Sequence, residues 1–373
     1  MKVLYIANIR LPTEKAHGIQ IMKMCEAFAN CGHEVELVVP WRFNNLKDSP
    51  FDYYSIPKIF LIKKIFSIDA IRFGRFGFLL QSFSYSVSVF FYTLFKKTDI
   101  IFGRDELPLV GVSFFKSVVW ETHTGSYNLF TKILLSKRTP IIAITGGLKN
   151  FYIKKGVDPK RIVVSSDAVD LKQFDIDVSM NDARTKLGLP TSNKIALYTG
   201  HLYGWKGAHV LASAAKFLPE DVLVLFVGGT DKDIESFTKE FGETKNIRIL
   251  GKKSHDLIPL YLKASNVLVL PNSPVNDISN LYTSPMKLFE YMASGRPIVA
   301  SGLPSIKEIL TSEQNALLVL PDNPKILAEA IEKILKDENL SDSLSRKSES
   351  DSKQYTWENR ARTIVDFIIQ KSA

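Results

Sequence analysis

The chain holds only two cysteines among 373 residues, Cys25 and Cys31. They lack CxxC spacing and have no His pair beside them, which excludes a disulfide scaffold and a zinc site, and both read as packed, reduced thiols. Neither GxGxxG nor GxxxxGK[ST] occurs, which argues against a dinucleotide-dependent dehydrogenase and a P-loop ATPase. Helix-turn-helix, RNP and zinc-finger patterns are missing too, so nucleic acid is not an expected partner. No DxD-like carboxylate pair stands at a strand end, so neither a metal nor another cofactor is expected. The start, MKVLYIANI, has no charged leader and no small-residue cleavage site, and it reads as a buried strand in a cytosolic protein. The longest uncharged stretch, residues 77–95, contains Gln81, Thr93 and four serines, which makes it too weakly apolar for a membrane span.

What is present is enough apolar material for two cores: 45% of residues are hydrophobic, and the chain is too long for one ordinary core. Short apolar runs at residues 3–7, 34–39, 99–103, 118–121, 141–144 and 162–165 are separated by helix-length intervals, as in a parallel sheet. Residues 77–95 are expected to be helical, because a strand follows and a parallel crossover needs a helix between strands. The pattern lapses around residues 175–193 and restarts with strands at 194–199, 222–227, 246–250, 267–270 and 297–300, spaced by helices. The expectation is therefore α/β, with domains at 1–175 and 176–355, and a final helix within 356–373 that follows a polar, serine-rich stretch at 341–352.

Formal net charge is +9, and residues 1–175 carry the whole excess, with 24 Lys and Arg against 15 Asp and Glu. Such a half suits an anionic partner, and without nucleic-acid motifs an anionic membrane surface is favoured. The charge concentrates in residues 58–97, where seven Lys and Arg oppose only Asp69. Aromatic and aliphatic residues interleave with those charges, which reads either as one or two helices with basic faces or as a segment lying on a cytoplasmic leaflet.

Ligands of doubly wound sheets bind where strands end and helices begin. Gly18 stands before the first helix, where backbone can approach a phosphate or merely turn. After the first strand of the second half comes Thr199-Gly200-His201-Leu202-Tyr203-Gly204-Trp205-Lys206-Gly207, in which Lys206 either reaches a diphosphate or is solvated. Ser284 suits an N-cap and Pro285 a first helical position, leaving helix-start amides at Met286 and Lys287 for a phosphate. Glu290 lies in an apolar helix, either exposed or aimed into a cleft at ribose hydroxyls. Glu121 and His123 end an apolar run where a strand's carboxyl end would face a ligand.

Together these segments resemble glycosyltransferase family 4, the retaining GT-B enzymes. The resemblance is carried by His17-Gly18, Gly32-His33-Glu34-Val35, Glu121-Thr122-His123, Lys206-Gly207, Val227-Gly228-Gly229 and, most specifically, residues 284–300, SPMKLFEYMASGRPIVA. It implies two Rossmann-like domains facing a central cleft, with the last helix crossing back to the first. It further implies that Lys206 contacts the diphosphate of a UDP- or GDP-sugar, that amides at Met286 and Lys287 take its phosphates, that Glu290 holds the ribose, and that backbone at Leu250 and Gly251 takes the base. His123 would touch the transferred sugar, and Gly18 would lie near the diphosphate. The acceptor implied is a glycan or lipid-linked sugar in cell-envelope or polysaccharide synthesis. Two positions depart from the family pattern: Tyr282 stands for the first of two glutamates eight apart, and His201 for an arginine. The alternatives are a nucleotide-sugar epimerase of the same fold, drawing on Glu121, His123, Asp105 or Glu106, and a non-catalytic nucleotide-binding relative.

Overall fold

The computed structural model describes residues 1–372, which divide into two compact units. Residues 1–166 and 357–372 form unit 1, and residues 167–356 form unit 2. The first crossing point lies before the expected 175, because Val169 and Phe174 are fully buried in the core of unit 2.

Unit 1 is built on seven parallel strands: β1 (Lys2–Ile6), β2 (Glu34–Pro40), β3 (Leu61–Ile65), β4 (Ile100–Gly103), β5 (Val118–Thr122), β6 (Ile141–Ala143) and β7 (Ile162–Val164). Their spatial order is β3-β2-β1-β4-β5-β6-β7. The apolar runs become central strands because both faces are covered by helices, as a parallel sheet requires. One reading of residues 58–97 needed revision, while the expected helix is present. Leu61–Ile65 is an edge strand paired with β2, where Lys63 and Lys64 leave the outer edge charged. The helix runs Gly74–Leu94, preceded by a single turn at Ile71–Phe73. Among the described residues no helix is long and apolar enough to cross a membrane.

Unit 2 repeats the plan with β8 (Lys194–Thr199), β9 (Val222–Val227), β10 (Ile247–Ile249), β11 (Val267–Leu270), β12 (Ile298–Ser301) and β13 (Leu317–Val319). The order β10-β9-β8-β11-β12-β13 is again that of a doubly wound sheet, with the reversal between β8 and β11. Helix starts follow local chemistry: Thr230 and Asp233 form a capping box at Asp231–Phe241, and Asn323 caps Pro324–Lys336. The serine-rich stretch is a helix, Glu338–Ser352, started by the Asp337 side chain. Two of its serines bond locally, Ser345 to the Ser341 carbonyl and Ser352 to that of Glu349, which lets Ser352 be buried beside Leu344.

The last helix, Trp357–Ser372, lies in unit 1 and buries Ala361, Ile364 and Ile368. It packs on the Ala16–Asn30 helix, and the Cys31 thiol contacts the Glu358 carbonyl at 3.9 Å. Both cysteines are free thiols.

Candidate active site

In unit 2 the loop after β8 folds onto the end of β11, beside the sheet's order reversal. Gly207 has φ +74°, and a Cβ there would collide with the Pro271 carbonyl, so only glycine lets the loop lie this close. Gly200 has φ +115°, and its missing Cβ leaves room for the end of Lys287, whose Nζ would stand 3.1 Å away. Lys287 Nζ lies 3.8 Å from the Tyr198 ring centroid and Lys206 Nζ lies 3.9 Å from that of Trp205.

Both ammonium groups are desolvated. Burial pulls Lys206 down to about 8, with the carboxylate of Asp167 opposing. Lys287 is pushed well below the ordinary lysine range by burial first and by the charge of Lys206 second, with Glu290 opposing. Its Nζ is shielded from solvent and finds no hydrogen-bond partner among the described residues. An unpaired buried cation costs several kcal/mol, roughly, unless an anion joins it.

Around this pair the fold supplies fixed acceptors and donors. Glu290 is buried, and its Oε1 is 3.1 Å from His255 Nε2. Gln173 Nε2 donates to His255 Nδ1 at 3.1 Å, which leaves the hydrogen on Nε2 to be donated to Glu290. Tyr291, next along the helix, accepts from the Thr199 amide at 2.9 Å and ties the helix to the end of β8. Ser284 is not the N-cap expected of it. The cap position is Pro285, and Ser284 Oγ accepts from the Asp167 amide at 2.9 Å, which brings Asp167 within charge range of Lys206. The Leu250 amide is spent on the Phe226 carbonyl and the Gly251 carbonyl on the Gly228 amide. His201 stacks on Tyr203 with ring centroids 4.8 Å apart, its Nδ1 3.8 Å from Asp233. Tyr282 is buried at the end of a wide turn, Ile278–Tyr282.

In unit 1 the wholly buried Glu121 is the hub. Its Oε1 accepts from His123 Nε2 at 2.6 Å and from Gln20 Nε2 at 2.8 Å, and its Oε2 accepts from Arg360 Nη2 at 2.7 Å. Arg104 completes the group by donating to Gln20 Oε1 at 2.7 Å. Burial alone would raise the Glu121 carboxyl, but Arg360, His123 and Arg104 outweigh it and hold the group well below the usual carboxylate range. His123 is pulled down to about 4 by burial, then by Arg104, against the raising effect of Glu121. It is therefore a neutral imidazole near neutral pH, with its hydrogen on Nε2 and a lone pair on Nδ1. His17 is also lowered to about 4, by burial and then Arg104. Gly18 is glycine for packing: a Cβ would strike the Tyr54 hydroxyl, which holds the Thr13 amide and carbonyl at 2.8 Å each.

Residues 179–351 match the model of the family described as Glycosyl transferases group 1. This segment is a group 1 glycosyl transferase domain. The chain is 27% identical over 231 residues to a D-inositol 3-phosphate glycosyltransferase of Corynebacterium urealyticum, a match covering 57% of this chain and 53% of that protein. It is 25% identical over 317 residues to an uncharacterized glycosyltransferase of Methanocaldococcus jannaschii, covering 80% and 78%. The chain thus spans about half the length of the first of these relatives. Among solved structures, Anabaena HepE in complex with UDP and glucose superposes with a TM-score of 0.76 at 16% identity, covering 99% of both chains. Sucrose-phosphate synthase of Thermosynechococcus elongatus gives 0.79 at 18% identity, also covering 99% of both. At such identities the likeness is one of fold, and the fold is GT-B.

The group 1 domain gathers Lys206, Met286, Lys287, Glu290 and Ser284 around the reversal of its sheet, while Glu121 and His123 meet in unit 1. Sequence reasoning missed Asp167, Gln173, His255 and Arg360. Each is a lone polar residue outside any motif, and each acts through a partner at least 35 positions away.

Proposed function

We propose that the chain is a retaining, metal-independent glycosyltransferase of hexosyltransferase type. Its group 1 domain takes a UDP- or GDP-sugar, and unit 1 takes the acceptor hydroxyl of a glycan or lipid-linked sugar in cell-envelope or polysaccharide synthesis. The observation that carries this reading is the buried, unpartnered Lys287 ammonium beside Lys206, next to a glycine whose absent side chain leaves the space open. Two desolvated cations at the switch point of a doubly wound sheet suit a diphosphate.

Expelling a nucleoside diphosphate from the anomeric carbon develops charge on the bridging oxygen, and preplaced ammonium groups lower that barrier without reorganising. Helix-start amides at Met286 and Lys287 add to the grip. Glu290, oriented by His255, accepts the ribose hydroxyls, and the Leu250 carbonyl with the Gly251 amide takes the base. In unit 1 neutral His123 offers Nδ1 to a hydroxyl of the transferred sugar. The departing phosphate takes the acceptor proton, so no dedicated base is needed. Glu121 is spent on three donors, which leaves it unfit as the acid or base of an epimerase.

Thermal-shift measurements against UDP, GDP, ADP and their sugars test the reading, since a ligand that binds only the folded form raises Tm. A rise with one nucleotide and its sugar, followed by sugar release, is expected. No rise with any nucleotide overturns it, and a rise without sugar release points to a non-catalytic binder.

A further inference from the structure

The Gly74–Leu94 helix is built inside out. Its buried positions are Gly77, Gln81, Ser82, Tyr85, Val89 and Thr93, five of them polar or small. Three of them are hydrogen-bonded inward: Gln81 Nε2 donates to Asn8 Oδ1 at 2.8 Å, Asn8 Nδ2 donates to Ser82 Oγ at 3.1 Å, and the Tyr85 hydroxyl donates to the Val38 carbonyl at 2.7 Å. The outward stripe is Phe76, Leu79, Phe83, Val87, Phe91 and Leu94, at three- and four-residue spacing and between 38% and 74% exposed. A helix on the surface of a globular domain ordinarily shows the reverse.

The apolar face extends beyond the helix. The Ile68 amide donates to Ser84 Oγ at 2.9 Å, which brings exposed Phe66 and Ile68 alongside. On the other side the Phe90 ring meets Phe115 at 5.2 Å, next to exposed Phe114. Continuous exposed apolar surface of this kind marks an interaction site.

The segment that carries it, residues 58–97, is cationic. Lys58, Lys63, Lys64, Arg72, Arg75 and Lys97 are all exposed. Asp69, the only acid of residues 58–97, is engaged by Arg42 Nε at 3.5 Å and by the Phe43 amide at 2.8 Å. A second copy of the chain is a poor occupant, because a two-fold contact brings the same basic segment against itself. Anionic headgroups complement both the apolar stripe and its charge.

We propose that this face seats unit 1 on an anionic lipid bilayer, with the aromatic stripe in the headgroup-acyl boundary and the lysines and arginines on lipid phosphates. The inference deepens the acceptor chemistry proposed above and rests on it only for its purpose, which is to bring the acceptor-binding unit to a lipid-linked sugar.

The test is sedimentation of the full chain with phosphatidylcholine vesicles, with and without phosphatidylglycerol. Binding is expected only with phosphatidylglycerol, falling as salt is raised. A variant with Phe76, Phe83 and Phe91 all changed to Ser should bind at least about tenfold more weakly. Because those side chains are exposed, its melting curve and its hydrolysis of donor in solution should match those of the parent, which separates a failed surface from a failed donor site. Binding to neither vesicle, or equally to both, overturns the proposal. So does a dimer that the three substitutions dissociate while no vesicle binds.

Discussion

Arg360 and Glu121, 239 positions apart in the chain, form an ion pair with both side chains almost fully buried, Nη2 donating to Oε2 at 2.7 Å. The same guanidinium donates through Nε to the Ser166 carbonyl at 2.7 Å, so the last helix is fastened to the end of the first-unit segment by charge as well as by packing. Changing Arg360 to Met strands a buried carboxylate and should cost about 3–5 kcal/mol in urea denaturation. Combining it with Glu121→Gln removes both charges and should recover most of that loss. A loss under about 1 kcal/mol in the single variant would show that the pair carries no such weight.

The same cluster sets an acid limit. The folded form holds His123 at about 4 against an ordinary 6.5, so above 6.5 its contribution is complete. Between 6.5 and 4 the unfolded chain takes up a proton that the folded one refuses, and stability falls by up to about 3 kcal/mol. Glu121, held below its ordinary 4.5, adds a second loss further into acid. Unfolding free energy followed from neutral pH downward should fall through this window, and less steeply in His123→Gln.

Glu290→Ala and Lys206→Ala should each leave the fold intact and lower transfer by roughly thirty- to a thousandfold, or about 2–4 kcal/mol of lost contact to a buried anion. Near-normal turnover in either would remove that residue from the donor site.

Lys287→Met separates binding from folding. The substitution removes an unpaired buried ammonium, so Tm should hold or rise while the response to nucleotide diphosphate disappears. A fall in Tm with donor binding retained would make Lys287 a structural residue.

Lys206 loses its proton near pH 8 in the unliganded protein. The donor KM should therefore climb as pH rises through 8, and Lys206→Arg should flatten the climb, because the guanidinium stays charged. Transfer should persist in excess EDTA at every pH, since in the proposed reading Lys206, Lys287 and the helix-start amides neutralise the diphosphate. Loss of activity restored by magnesium or manganese would show that a metal neutralises the leaving group.

The fold was legible because parallel strands buried on both faces must be short apolar runs, and the helices between them must take up the intervening length. The runs opening at Val3, Glu34, Lys194 and Val222 therefore announced their strands directly. Leu61–Ile65 was not legible: edge position lets lysines enter a strand, and Lys63 and Lys64 hid its period. The helix at Glu338–Ser352 was hidden likewise, because Ser345 and Ser352 bond back to their own turn and need no partner that a pattern can reveal.

The donor-site motifs were sequence-local, since a glycine turn and a helix start must be contiguous to present their amides, and Gly200, Lys206, Lys287 and Glu290 stand within them. Their neighbours were decided by tertiary structure alone. Nothing near His255 in the chain points to Glu290, nothing near Arg360 points to Glu121, and nothing in residues 74–94 says which face of that helix is buried. A side chain's charge is written in the sequence, but its partner and its exposure depend on which distant backbone the packed sheets bring beside it. That is why the sequence determined two doubly wound domains and most of the candidate donor site proposed here, while the buried ion pair, the stranded lysine and the outward aromatic stripe appear only once the chain is folded.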